Sequence, residues 1–240
     1  MRREQTDVMV VVVPVRDEEL LLHASLSALR AAVETASRAG IRSEVRIVLD
    51  ACTDASAEVA SRFGFTSLTS TAGRVGAARA VGVSHAIDAL AEVPVGRLWI
   101  ANTDADSRVP PGWLTNFRAI SRIADVCAGT VRPDFDDLSI AQRSLWLRTH
   151  IRGRPNGNIH GANLGVRATT YLAAGGFAPI GEHEDVDLIA RCRSNGAVVA
   201  ASDDAEVITS GRLIGRTAGG YAGFLRRQAS DLAAGATDQL

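Results

Sequence analysis

Asp104 and Asp106 flank Ala105 just after the apolar run LWIA at residues 98–101. Carboxylates at the end of a buried strand are hard oxygen ligands, suited to Mg²⁺ or Mn²⁺ held between the protein and a phosphate. The competing account is an Asx-rich turn, which the same residues form with no ligand at all. Asp50 also closes an apolar run, at a place where a strand-end carboxylate reads a base or ribose by hydrogen bonding. Asp54, four residues on, is better explained as a helix cap. Arg74 and Arg79 lie five apart in GRVGAARAVG and suit a diphosphate, because guanidinium binds phosphate oxygens bidentately. That segment lacks GxGxxG spacing, so it is not a dinucleotide fingerprint. In GEHEDVDL the acids Glu184, Asp185 and Asp187 crowd a helix start. The helix dipole by itself favours acids there. A carboxylate aimed into a pocket, Asp185 foremost, would instead act as general base toward a hydroxyl. His183 has no paired ligand spacing, and His23, His85 and His150 are given no role.

These groups need a frame to bring them together. The run VMVVVV, ended by Pro14, reads as a strand buried on both faces. From Asp17 the stripe Leu22, Leu26, Leu29, Val33 predicts a helix with an acidic first turn, stopped at Gly40. The unit recurs: a strand over 44–49, a polar loop, a short helix to Gly64, a strand over 65–69, an alanine-rich helix to residue 90 and a strand over 97–101. Such alternation predicts an α/β fold, a mostly parallel sheet with helices on both faces. Ligands gather at the carboxyl ends of its strands, so Pro14 with Arg16, Asp50 and the TDAD segment are expected along one edge. The second half is less regular, with helices near 111–123 and 138–151, a strand over 126–131, a glycine-rich stretch and strands reaching residue 208.

Composition removes several alternatives. The chain has 240 residues, 46% of them hydrophobic, and a formal charge of −1, so the overall charge argues for neither a generic nucleic-acid binder nor a generic anionic-membrane binder. All 26 basic residues are arginine, which excludes Schiff-base enzymes, Walker-lysine hydrolases and kinase-type phosphate clamps. Cys52, Cys127 and Cys192 lack CxxC spacing and fit neither a disulfide framework nor a zinc knuckle, which points to a reducing cytoplasm. No segment approaches 18 apolar residues, so no transmembrane segment is expected. A peripheral contact with a membrane is left open by that test.

Taken in order, VVVPVRDEE, VLDACTD, GRVGAARA, NTDADS, HGANLGVRA, GGF and GEHEDVDL resemble glycosyltransferase family 2 over roughly residues 8 to 200. The resemblance implies a GT-A fold, Rossmann-like, and an inverting transfer from a nucleoside-diphosphate sugar, UDP- or GDP-linked, to an acceptor hydroxyl of unknown identity. It implies that Pro14, Arg16 and Glu18 line the nucleotide edge and Asp50 reads the base. Arg74 then lies near the nucleotide or diphosphate, Asp104 with Ala105 reaches the ribose, and Asp106 holds Mn²⁺ or Mg²⁺. Asp185, beside Glu184, becomes the base. On this reading residues 1–210 form one catalytic domain, 1–107 for the nucleotide sugar and 108–210 for the acceptor. A flexible tail, 211–240, follows, in which Arg212 and Arg216 are candidates to close over the diphosphate. The chain departs from the family pattern at DACT, where an aspartate-rich DDGS run is usual, and it lacks the arginine-tryptophan motif of processive members. A haloacid-dehalogenase-type phosphatase needs a lysine, and a nucleotidyltransferase needs an early glycine-rich loop, yet the first glycine is Gly40. A catalytically silent sugar-nucleotide-binding protein would keep the aspartate pair and lose the base, against which Glu184 and Asp185 stand.

Overall fold

The computed structural model describes residues 5–215 and 219–237. The first half alternates β1 (Val8–Val15), α1 (Leu22–Arg38), β2 (Arg42–Asp50), α2 (Ser56–Ser61), β3 (Thr66–Ser70), α3 (Val75–Ala89) and β4 (Leu98–Asn102). The second half adds β5 (Ser107–Arg108), α4 (Trp113–Ile120), β6 (Val126–Pro133), α5 (Ile140–Thr149), β7 (Leu164–Arg167) and α6 (Ala168–Ala173). It ends with α7 (Glu184–Ser194), β8 (Val199–Thr209) and α8 (Tyr221–Thr237). The strands form one eight-stranded sheet in the order β3-β2-β1-β4-β7-β6-β8-β5. Pairing is parallel from β3 to β4 and between β6 and β8, and antiparallel where β7 and β5 enter. The fold is therefore the α/β, mostly parallel Rossmann-like sheet expected from the sequence.

The continuous apolar run of β1 is buried on both faces because alternate residues serve two cores. Met9, Val11 and Val13 pack with Leu22, Leu26, Leu29, Trp113 and Phe117 on the side of α1 and α4. Val8, Val10 and Val12 pack with Ala78, Val83, Tyr171 and Leu188 on the side of α3, α6 and α7. At about 1.5–3 kcal/mol for each fully buried aliphatic side chain, this strand anchors both layers. Gly82 lets α3 approach closely, since a Cβ there would lie 2.6 Å from Val12 Cγ1.

Several local expectations are corrected. β1 runs on through Pro14 to Val15, because β4 pairs with it only as far as Val12 and the missing proline N–H is tolerated beyond that point. α1 begins at Leu22 instead of Asp17. Asp17 takes a left-handed φ of 48° and its Oδ1 accepts from Thr53 N–H at 2.7 Å. Glu19 N–H donates to Asp54 Oδ2 at 2.9 Å while Glu19 Oε2 accepts from Ala55 N–H at 2.9 Å. The acids after β1 thus lace one loop to another and do not form a helical first turn. The segment expected as a flexible tail contains α8, whose Leu225 is fully buried and whose Leu225 carbonyl accepts from Gln142 Nε2 of α5 at 3.1 Å.

Candidate active site

A cavity of about 1050 Å³ opens at the carboxyl ends of β1, β2 and β4. Pro14, Arg16, Glu18, Asp50, Asp104, Ala105, Asp106, Glu184 and Asp185 all line it. Parallel strands that end level with one another deliver their following loops to the same edge, which is why positions up to 171 residues apart in sequence converge.

Arg79 ties two of these loops together. It projects from α3, is 2% exposed, and reaches Asp104 Oδ1 at 2.6 Å and Glu184 Oε1 at 3.2 Å. Its Nη1 also donates to the Gly161 carbonyl at 2.9 Å. A side chain at Gly161 would collide with the guanidinium, so glycine is required for this approach. Burial opposes the arginine's charge, but attraction from Asp104, Glu184 and Asp185 outweighs it and holds the pKa above the ordinary arginine value. Burial pushes the Glu184 carboxyl up, with the Arg79 charge opposing.

Asp106 is more strongly perturbed. Burial first, then the neighbouring Asp104 and Glu18, push its carboxyl up to about 6, against the opposing charge of Arg212. Arg212, on the segment after β8, forms a fork with Glu18 at 2.7 and 3.0 Å and reaches Asp106 Oδ2 at 2.9 Å. A guanidinium drawn between buried carboxylates marks a place short of positive charge. Asp106 and Glu18, which share Arg212, offer oxygen donors of the type a hard divalent cation takes. Among the described residues, the one group of three whose candidate ligand atoms all lie within 4.8 Å of one another is Asp17, Cys52 and Asp54. There the carboxylates of Asp17 and Asp54 accept Thr53, Glu19 and Ser56 N–H groups, which accounts for their lowered pKa values.

Asp185 stands half-buried at the start of α7, where His183 takes a left-handed φ of 60° to turn the chain into the helix. Its Oδ2 accepts from Gly161 N–H at 2.6 Å and its Oδ1 from Val186 N–H at 2.8 Å. The neighbouring Glu184 faces Arg79. Asp50, 3% exposed, accepts from Ser70 Oγ at 2.8 Å and Gly73 N–H at 3.1 Å, so one of its oxygens braces the loop before α3. Arg16 braces the same loop through the Gly73 carbonyl at 3.0 Å.

Arg74 and Arg79 are placed differently from one another. Arg74 is exposed, does not line the cavity, and donates to the Pro179 carbonyl at 2.9 Å. A strand-like N-cap conformation at Arg74 directs it off the helix, while Arg79, about one turn in, faces the sheet edge. Arg216 lies outside the described residues. His150, given no role above, also lines the cavity, stacked on Trp146 at 4.1 Å, as does the unassigned His160, edge-on to Tyr221 at 5.7 Å. Burial lowers the His160 pKa. His160 opens the HGANLGVRA segment, whose place in the motif order was its signal in the sequence.

Residues 10–171 match the family model for glycosyl transferase family 2. No curated protein sequence matches the chain. Among solved structures, S. aureus TarS is similar at a TM-score of 0.61 and 13% identity, covering 85% of this chain and 37% of TarS. The mannosyltransferase PcManGT from Pyrobaculum calidifontis, in complex with GDP-Man and Mn²⁺, is similar at 0.60 and 17%, covering 89% of this chain and 59% of that one. GalNAc-T7 with UDP, GalNAc and Mn²⁺ is similar at 0.60 and 11%, covering 86% and 44%. The chain thus spans 37 to 59% of these proteins, and at such identities the likeness is one of fold.

Proposed function

Since this chain belongs to glycosyl transferase family 2, we propose that its cavity transfers a sugar from a nucleoside-diphosphate sugar, UDP- or GDP-linked, to an acceptor hydroxyl with inversion at the anomeric carbon. The observation that carries this reading is the convergence of Asp50, Asp104, Asp106 and Asp185 on one cavity, with Arg79 joining the aspartate pair to the acidic start of α7.

Pro14, Arg16, Glu18 and Asp50 form the nucleotide edge, and Arg74 contributes through the loop it pins at Pro179. Asp106, with Asp104 beside it, would hold Mn²⁺ or Mg²⁺, which supplies charge neutralisation for the departing diphosphate. Arg212 already lies against Asp106 and Glu18, within reach of a phosphate at the same place. As the bond between the anomeric carbon and the diphosphate oxygen breaks, its electron pair leaves with the nucleoside diphosphate. The acceptor oxygen forms the new bond from the opposite face and yields its proton to the Asp185 carboxylate. Two backbone N–H groups hold that carboxylate in orientation. Glu184, engaged by Arg79, positions the pair and does not take the proton.

The test is a thermal-shift panel of nucleoside diphosphates and their sugars with and without Mn²⁺, since a ligand of the native state raises the melting temperature with its affinity. Stabilisation by one nucleotide class that depends on the cation supports the reading. No shift with any of them at millimolar concentration refutes it.

A further inference from the structure

The acidic residues of this chain are unevenly placed. Residues 138–181 and 207–230 contain none of the 27, yet together they carry nine of the 26 arginines. α5 lies in the first stretch and α8 begins in the second, and the two helices pack against each other. α5 turns Gln142 and Trp146 inward. It leaves Ile140 and Leu147 87% and 52% exposed, and Ile151, just past its end, 58% exposed. Seven residues at 100° each bring Ile140 and Leu147 within about 20° of one another, so they form a stripe. Arg143 and Arg148 flank that stripe on its two sides, and the exposed Arg152 and Arg154 follow it.

Large aliphatic side chains held in water gain nothing from a soluble polyanion. Beside guanidinium groups they suit a surface offering hydrocarbon and phosphate together. We propose that this face of α5 docks on an anionic lipid bilayer, with the aliphatic stripe entering the boundary between headgroups and acyl chains and the arginines pairing with lipid phosphates. α5 also contributes Leu145 and Thr149 to the cavity, with His150 just past its end, so docking sets the cavity mouth beside the membrane. Among the described residues no helix is long and apolar enough to cross a membrane, and none is needed for this contact. The proposal does not depend on which donor binds, because its test uses none.

The test is flotation of the full chain with phosphatidylcholine vesicles, with and without about 30% phosphatidylglycerol. Association is expected only with the anionic vesicles and should weaken with salt over the range where surface charges are screened. Arg148→Glu with Arg152→Glu should reduce partitioning at least tenfold, each arginine near the surface being worth about fivefold. Leu147→Glu with Ile151→Glu should also abolish flotation. Leu147→Gln with Ile151→Gln is the gentler pair should the first disturb folding, checked by melting. Arg62→Glu, at an exposed pair with Glu58, should leave binding unchanged. Three results overturn the proposal: no association with anionic vesicles, an Arg62 variant as damaging as the α5 variants, or aliphatic variants that bind like the parent. The last would make the patch a site for soluble polyanions instead.

Discussion

Replacing Arg79 by methionine keeps the length and much of the volume of the side chain but leaves Asp104 and Glu184 without their shared cation. Breaking a buried ion pair from one side costs about 3–5 kcal/mol, because an uncompensated charge remains inside. The two carboxylates differ in how far water can help: the Asp104 side chain is 35% exposed and the Glu184 side chain 6%. Solvent therefore relieves Asp104, and the loss should fall near the lower end, about 3 kcal/mol. For a chain of this size each kcal/mol shifts the melting temperature by about 2–4 °C, so a drop of about 6–12 °C is expected at pH 8. The sign of the pH dependence follows from Glu184. Burial already raises its pKa, and removing Arg79 takes away the attraction that opposed the rise. A carboxyl whose folded pKa lies above its unfolded value takes up a proton on folding, so the variant gains stability as pH falls through that folded value. The deficit relative to the parent should shrink between pH 8 and pH 5. Adding Glu184→Leu to Arg79→Met removes the more buried orphan and should restore at least half of the loss. Thermal melts of parent, single and double variants at both pH values provide the measurement. A single variant melting within about 2 °C of the parent at pH 8, or a deficit independent of pH, would refute the account of Arg79 as the buried tie.

Asp106→Asn should weaken cation-dependent nucleoside-diphosphate binding in calorimetry, with the difference vanishing when a chelator is present. With the Asp106 carboxyl pushed up to about 6, protons compete for the oxygens a cation needs, so Mn²⁺ affinity should fall by up to about tenfold per pH unit below that value. Asp185→Asn should leave donor affinity within about threefold and lower turnover by about 10²–10⁴. A parental rate in that variant removes Asp185 as the base. Asp50→Ala should cost nucleoside affinity by about 1–3 kcal/mol and also lower the melting temperature, because Asp50 holds Ser70 and Gly73. An unchanged melt would show that the brace carries no stability.

What the chain determines by itself is local. An unbroken apolar run such as residues 8–13 can only be a strand covered on both faces, and acids placed just after such strands must emerge at their carboxyl ends. The α/β class, the common edge and the positions of Asp50, Asp104 and Asp106 follow from those two constraints, whereas Asp185 reaches the edge from the start of a helix. The charges that meet at that edge were decided by tertiary structure alone. Arg74 and Arg79 look equivalent in sequence, yet only Arg79 points toward Gly161 and Glu184, since helix phase relative to the sheet fixes the direction of a side chain. Arg212 meets Glu18 across 194 residues, and Leu225 finds a buried place on α5 where composition suggested a loose tail. Glycine and arginine content report the intrinsic freedom and solubility of a segment. Whether that segment is ordered depends on the apolar and charged partners the closed sheet presents to it, and those partners come from remote parts of the chain.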